Sequence, residues 1–168
     1  MTTVLLQDLT LYMFEDHISE AAVESSATKL IPAGSVVCVV RSGILKHSFP
    51  VALLGRDMCI NQDLIAFTPT TDVVISKFLF YVLKTRSSSI IEVGIKPGVT
   101  VQSFYNGFFR DCPIPLPPVA TQHAIVSEIE AEQALVAANR EVIARFEEKI
   151  QTTLARGWGE DENTTGDA

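Results

Sequence analysis

The sequence predicts an α+β chain, a β-rich globular part with packed helices followed by a long projecting C-terminal α-helix of coiled-coil type. Three observations carry that prediction. Short apolar, β-branched runs punctuated by Pro, Gly and Asp recur between residues 30 and 70, the pattern of buried strands joined by turns. Ile75, Phe78, Leu79, Val82 and Leu83 fall at i, i+3, i+4, i+7 and i+8 and form one apolar stripe on a helix that can cover a sheet. Val119–Arg156 contains neither Gly nor Pro and is rich in Ala, Glu, Gln, Leu, Ile and Arg, residues that favour a helix.

Residues 1–28 are weakly patterned, and "EDHISEAAVESSATK" reads as an exposed helix or loop. In "LIPAGSVVCVVR", Pro32-Ala33-Gly34 is turn chemistry and Ser35 to Val40 is too apolar for an exposed surface, so it reads as a buried strand. After the break "SGILKHSF", Pro50 to Leu54 and Ile60 to Pro69 read as further strands, with Gly55-Arg56-Asp57 as the turn between them. The helix carrying the apolar stripe stops at "RSSS" (Arg86 to Ser89), "IIEVGI" is compatible with a strand, and "KPGVTVQSF" supplies a Pro97-Gly98 turn and a short alternating stretch. Pro113, Pro115, Pro117 and Pro118 then remove four backbone donors and bias their neighbours to extended backbone, which predicts a stiff connector. Beyond it, Ile125, Ile129, Val136, Ile143, Phe146 and Ile150 advance by four, seven, seven, three and four residues, the spacing of a heptad seam for a partner helix. At about 1.5 Å per residue such a helix reaches roughly 55 Å, more than the width of so small a domain, and is expected to project. The organisation expected is therefore residues 1–112 as the globular domain, 113–118 as a proline hinge, 119–158 as the long helix and 159–168 as a disordered acidic tail.

The net charge of −7 opposes a phosphate partner, but its distribution does not. Between Ser25 and Arg110 nine basic residues face four acidic ones, whereas from Pro113 onward four basic residues face ten acidic ones. A binding face on the first part and a solvated helix in the second produce that asymmetry, and so does chance. Cys38, Cys59 and Cys112 are odd in number and lie in apolar surroundings, which fits unpaired thiols in a reducing, cytoplasmic setting. No apolar run approaches the roughly 18 residues that span a bilayer, so no membrane association is expected. No glycine-rich phosphate loop, nucleophile elbow or His-Glu-x-x-His zinc motif occurs, and His17, His47 and His123 are isolated, so neither a catalytic residue, a metal site nor a cofactor is expected.

The candidate contacts are polar side chains in loops. Arg41, Lys46 and His47 follow the first strong strand and suit phosphate or base-edge contact, or plain surface charge; Arg56 on its turn and Lys96 beside Pro97-Gly98 have the same two readings. Asn61 and Gln62 carry amides that can pair with adenine, although a place at the start of a strand favours structural hydrogen bonding. Tyr105, Phe108 and Phe109 read as core, because readers of duplex DNA leave bases stacked. Gln122 reads as a capping residue near the hinge.

"SSATKLIPAGSVVCVVRSGILKHSFPVALL", "INQDLIAFTP", "GVTVQSFYNGFFRDCPIPLPPVATQHAIVSEIE" and "ARFEEKIQTTLARGWGE" together resemble the specificity subunits of type I restriction–modification systems, from about Ser25 to Gly159. The most specific element is the proline run leading directly into a long helix with a Gln near its start. The resemblance implies a target-recognition domain that reads half of a bipartite duplex DNA site, and a spacer helix that packs antiparallel to a second one. It implies as partners the methyltransferase (M) and restriction (R) subunits, with no catalysis in this component. Where the family usually carries two recognition domains and two spacer helices, one of each occurs here, as expected of a half subunit pairing as a homodimer or of the C-terminal end of a longer chain. The alternative is a truncated remnant acting as a non-catalytic, helix-mediated interaction module.

Overall fold

The fold is α+β, small sheets with packed helices and one long C-terminal helix. The structure is a computed structural model and describes residues 10–11, 19–25, 28–70, 72–97 and 101–158. Expectations for the rest of the N-terminal 28 residues, for Gly98 to Thr100 and for the tail from residue 159 lie outside the described residues. The chain divides into two compact units, one ending at Val126 and one beginning at Ser127.

In the first unit a four-stranded sheet has the order β1 (Thr10–Leu11), β4 (Val51–Leu54), β3 (Val36–Val39), β6 (Leu64–Phe67). β3 pairs antiparallel with both β4 and β6, and β1 lies parallel to β4. The β-branched runs form the centre because both faces of these strands are covered. Val37, Ala52, Leu54 and Met58 make one buried cluster with Ile31, Ile60 and Ala66 against it. Val36, Cys38, Val51 and Leu53, alternating with them, are also buried. α2 (Ser76–Thr85) packs on β3 and β4, burying Phe78, Leu79, Phe80, Tyr81 and Leu83. Of the predicted stripe Phe78, Leu79 and Leu83 are buried, Ile75 is the residue before the helix and Val82 is half-buried, and with Phe80 and Tyr81 buried as well the covered face is wider than that stripe. A short helix α1 (Glu20–Glu24) is capped by Ser19, whose hydroxyl accepts from the Ala22 N–H.

Three expectations change. Residues 60–63 are not strand: the Asn61 side chain accepts from the Asp63 N–H at 3.0 Å and the Asn61 carbonyl from the Leu64 N–H at 3.2 Å, a turn that delays β6 to Leu64. "IIEVGI" is not strand either, because after a one-residue break at Arg86 the chain resumes as α3 (Ser87–Gly94). Ile90 of α3 is buried, and a Cβ on Gly94 would lie 2.5 Å from a ring carbon of Phe104, so close packing on α3 outweighs the strand preference of paired isoleucines. Finally, Met58–Cys59 forms a strand, β5, antiparallel to β2 (Leu30–Ile31), a two-residue pairing with no periodic signal of its own.

A short helix α4 (Phe108–Asp111) precedes the proline segment, which leads into α5 (Val119–Trp158), a helix of 40 residues. The Pro118 carbonyl accepts from the N–H groups of Thr121 and Gln122, starting the helix where proline chemistry ends. Arg86 Nη1 donates to the Pro113 carbonyl at 2.6 Å, and Gln122 is fully buried. Gln122 is therefore more than a cap. Its Oε1 accepts from the Ile75 N–H, and its Nε2 donates to the Val73 and Pro117 carbonyls, all at 2.9 Å. In the second unit Val136, Ile143, Phe146 and Ile150 are each about half exposed or more, and Leu154 and Trp158 continue their face at four-residue steps.

Candidate nucleic-acid interface

Three irregular segments meet beside the edge strand β6. Arg41 bridges antiparallel to Ser103, and Ile95 to Phe104. The Ser42 N–H donates to the Gln102 carbonyl, the Lys96 N–H to the Ser103 carbonyl, the Phe104 N–H to the Val40 carbonyl and the Tyr105 N–H to the Gly94 carbonyl, all at 2.9–3.1 Å. Backbone that would otherwise be an open loop is thereby satisfied and held. Beneath it, Phe104 packs with Phe49, Phe108 and Phe109, and Phe109 also meets Phe67 of β6. Phe108 and Phe109, expected as core, join this aromatic cluster but are half-buried and line its open side, and Tyr105 is 50% exposed.

Between these segments and β6 lies an open groove of about 770 Å³, lined by Arg41, Gln62, Lys96, Tyr105, Asn106 and Arg110 above an aromatic and aliphatic floor. Among the described residues that line it, three are cations and none is a carboxylate. Arg41 is the least available of the three, since its Nε donates to Asp63 at 2.6 Å with both side chains partly exposed. Such a pair contributes little to stability but it competes with an outside anion. Among the described residues the side chains of Gln62, Lys96, Asn106 and Arg110 make no hydrogen bond or ion pair.

Of the seven sequence candidates, the groove gathers Arg41, Gln62 and Lys96. Asn61 stands beside Gln62, exposed, with its side-chain amide oxygen spent on the Asp63 N–H. Lys46 and His47 are exposed on and just after a 3-10 turn (Gly43–Lys46), and Arg56 is exposed on the bend after β4; none of the three lines the groove. Sequence reasoning missed Asn106 and Arg110. Their only local signal is the turn-forming Asn-Gly pair followed by a cation within "YNGFFRD", and what places them is the non-local bridging of 41 to 103 and of 95 to 104.

Among the described residues no three His, Cys, Asp or Glu side chains gather to hold a metal ion, and no helix is long and apolar enough to cross a membrane. Cys38 is 1% exposed, and burial pushes its thiol far above the ordinary range, so it stays protonated.

Comparison with known proteins agrees with a nucleic-acid reading. Residues 6–147 match the family described as type I restriction modification DNA specificity domain. The chain is similar to the type I restriction enzyme EcoR124I/EcoR124II specificity subunit of Escherichia coli, with 36% identity over 116 residues, 69% of this chain and 28% of that protein. It is also similar to the type I restriction enzyme MjaIX specificity subunit of Methanocaldococcus jannaschii, with 26% identity over 144 residues, 86% of this chain and 32% of that protein. The chain thus spans 28% and 32% of the lengths of these relatives.

Proposed function

The chain belongs to the type I restriction modification DNA specificity domain family, and from that premise we propose that it reads one half of a bipartite duplex DNA site and directs adenine methyltransferase and restriction subunits to it, without catalysing a reaction itself. The observation that carries this reading is the groove beside β6, where, among the described residues, Lys96 and Arg110 stand unpaired, Arg41 is close by and no carboxylate lines the wall. Cations so placed hold phosphates and set the register of a duplex, while the unpaired amide of Gln62 is free to meet a base edge. Lys46, His47, Arg56 and Asn61, exposed elsewhere on the first unit, serve as flanking backbone contacts.

In this reading residues 1–112 are the recognition domain, 113–118 the hinge and 119–158 the spacer. The exposed face of Val136, Ile143, Phe146 and Ile150, extended inward by Ile125 and Ile129, pairs with the same face of a second copy, and a two-fold pair of modules meets a palindromic bipartite site. The partner subunits supply the chemistry.

The test is fluorescence anisotropy of labelled duplex DNA titrated with the whole chain at rising salt. Binding that weakens steeply with salt, and weakens further when Lys96 and Arg110 become Ala, is the expected result. Absence of binding at low salt by folded protein would sink the assignment. The net charge of −7 favours the second reading, a helix-mediated interaction module that no longer meets DNA; partner capture through the helix, with no salt-dependent DNA binding, is its signature.

A further inference from the structure

Asn106 sits in a turn whose two ends are both fixed. The Tyr105 N–H donates to the Gly94 carbonyl, and the Phe108 N–H closes the turn on the Tyr105 carbonyl at 3.1 Å. Gly107, at φ 80° and ψ −5°, takes the left-handed third place that such a turn requires. Phe104 before the turn and Phe108 and Phe109 after it are embedded in the aromatic cluster. Asn106 itself is exposed at the corner, and its amide is unpaired among the described residues. One turn further on, the Arg110 N–H donates to the Gly107 carbonyl, so the same short segment presents an amide and a guanidinium to one groove.

We propose that Asn106 is a specificity-determining residue whose amide reads the edge of an adenine in the major groove, while Arg110 holds the neighbouring phosphate. The inference rests on the DNA-reading function argued above and assigns it a residue. A carboxamide is the side chain whose paired acceptor and donor match the N6 amino group and N7 of adenine. Three observations distinguish Asn106 from Asn61, Gln122 and Gln62. Asn61 has spent its oxygen on the Asp63 N–H, Gln122 is buried with three partners, and Gln62 rides on a longer side chain with more rotamers to lose. An unpaired amide on a backbone corner fixed from both sides is pre-organised for recognition, so little ordering remains to be done on binding.

The experiment selects from a randomised duplex library with the whole chain, its Asn106→Ala and Asn106→Asp variants and Arg110→Ala, and sequences what is retained. For the native chain one position of the enriched site is expected to be adenine. Asn106→Ala should lower the preference there roughly ten- to hundredfold, leave the other positions intact and leave the salt dependence unchanged. Asn106→Asp, which keeps the size but loses the donor, should lose adenine at the same position. Arg110→Ala should weaken binding to every sequence alike. Because the Asn106 side chain has no partner among the described residues, both its variants should unfold with the native midpoint, so a lost preference is not a lost fold. An unchanged enriched site in Asn106→Ala would overturn the inference while leaving DNA reading in place, whereas no enrichment by the native chain would overturn both.

Discussion

A single, fully buried side chain, Gln122, ties three pieces of backbone together. Gln122→Ala leaves the Ile75 N–H and the Val73 and Pro117 carbonyls unpaired in a buried place, which is expected to cost about 2–4 kcal/mol in urea unfolding. A Gln near a helix start is legible in the sequence, but its partners forty-seven and forty-nine residues earlier are not. Gly94 makes the opposite point, because here an absent side chain is what packs. Gly94→Ala drives a methyl into the Phe104 and Phe108 rings and should destabilise by about 1–3 kcal/mol, again read from urea unfolding. Cys38 stays protonated through the neutral range, because burial raises its thiol and the thiolate is the reactive form. A thiol reagent at pH 8 should therefore leave Cys38 unmodified in the folded chain and label it in urea, with mass spectrometry of the peptides as the readout.

At the scale of elements, legibility follows how local the cause of each element is. β3 and β4 are visible as β-branched runs and α2 as a stripe, since each needs only its own residues and a cover. α5 is visible because nothing between Val119 and Arg156 can stop it. By contrast β2 and β5 exist only through their pairing with one another, and α3 wins over a strand because Ile90 is buried and Gly94 fits against the Phe104 and Phe108 rings. The groove belongs to this second kind, since segments around 41, 95 and 104 form it only by meeting. The apolar face of α5 carries the element's own prediction. Ile143 and Phe146 are 57% and 61% exposed, so replacing both with Asp removes little packing within one chain and should leave the unfolding midpoint of the first unit nearly unchanged. If the face pairs with a second copy, the same double variant should abolish the dimer in sedimentation equilibrium. A native chain that stays monomeric at high concentration would reject self-pairing.

For the whole molecule, charge and site must be reconciled. A chain of net charge −7 approaches DNA against a long-range repulsion, so attraction has to come from a local arrangement that outweighs the total. Screening reaches about 8 Å at physiological salt, so acidic groups farther than that from the groove are damped. The consequence is a salt dependence set by contacts rather than by net charge. Four to six phosphate contacts per module would give log affinity against log salt a slope of about −3.6 to −5.4, and a two-fold pair of modules about twice that. Removing Lys96 or Arg110 singly should make the slope shallower by about 0.9 per module. Lys46→Ala, on its separate exposed turn, tests how far the contact surface extends: an equal change would carry the duplex across that turn, and no change would confine it to the groove. Anisotropy titrations between 50 and 200 mM salt distinguish these cases, because a slope counts displaced ions and a loss of folding changes amplitude instead. A slope that did not respond to Lys96→Ala and Arg110→Ala together would move the DNA-binding face away from the groove altogether.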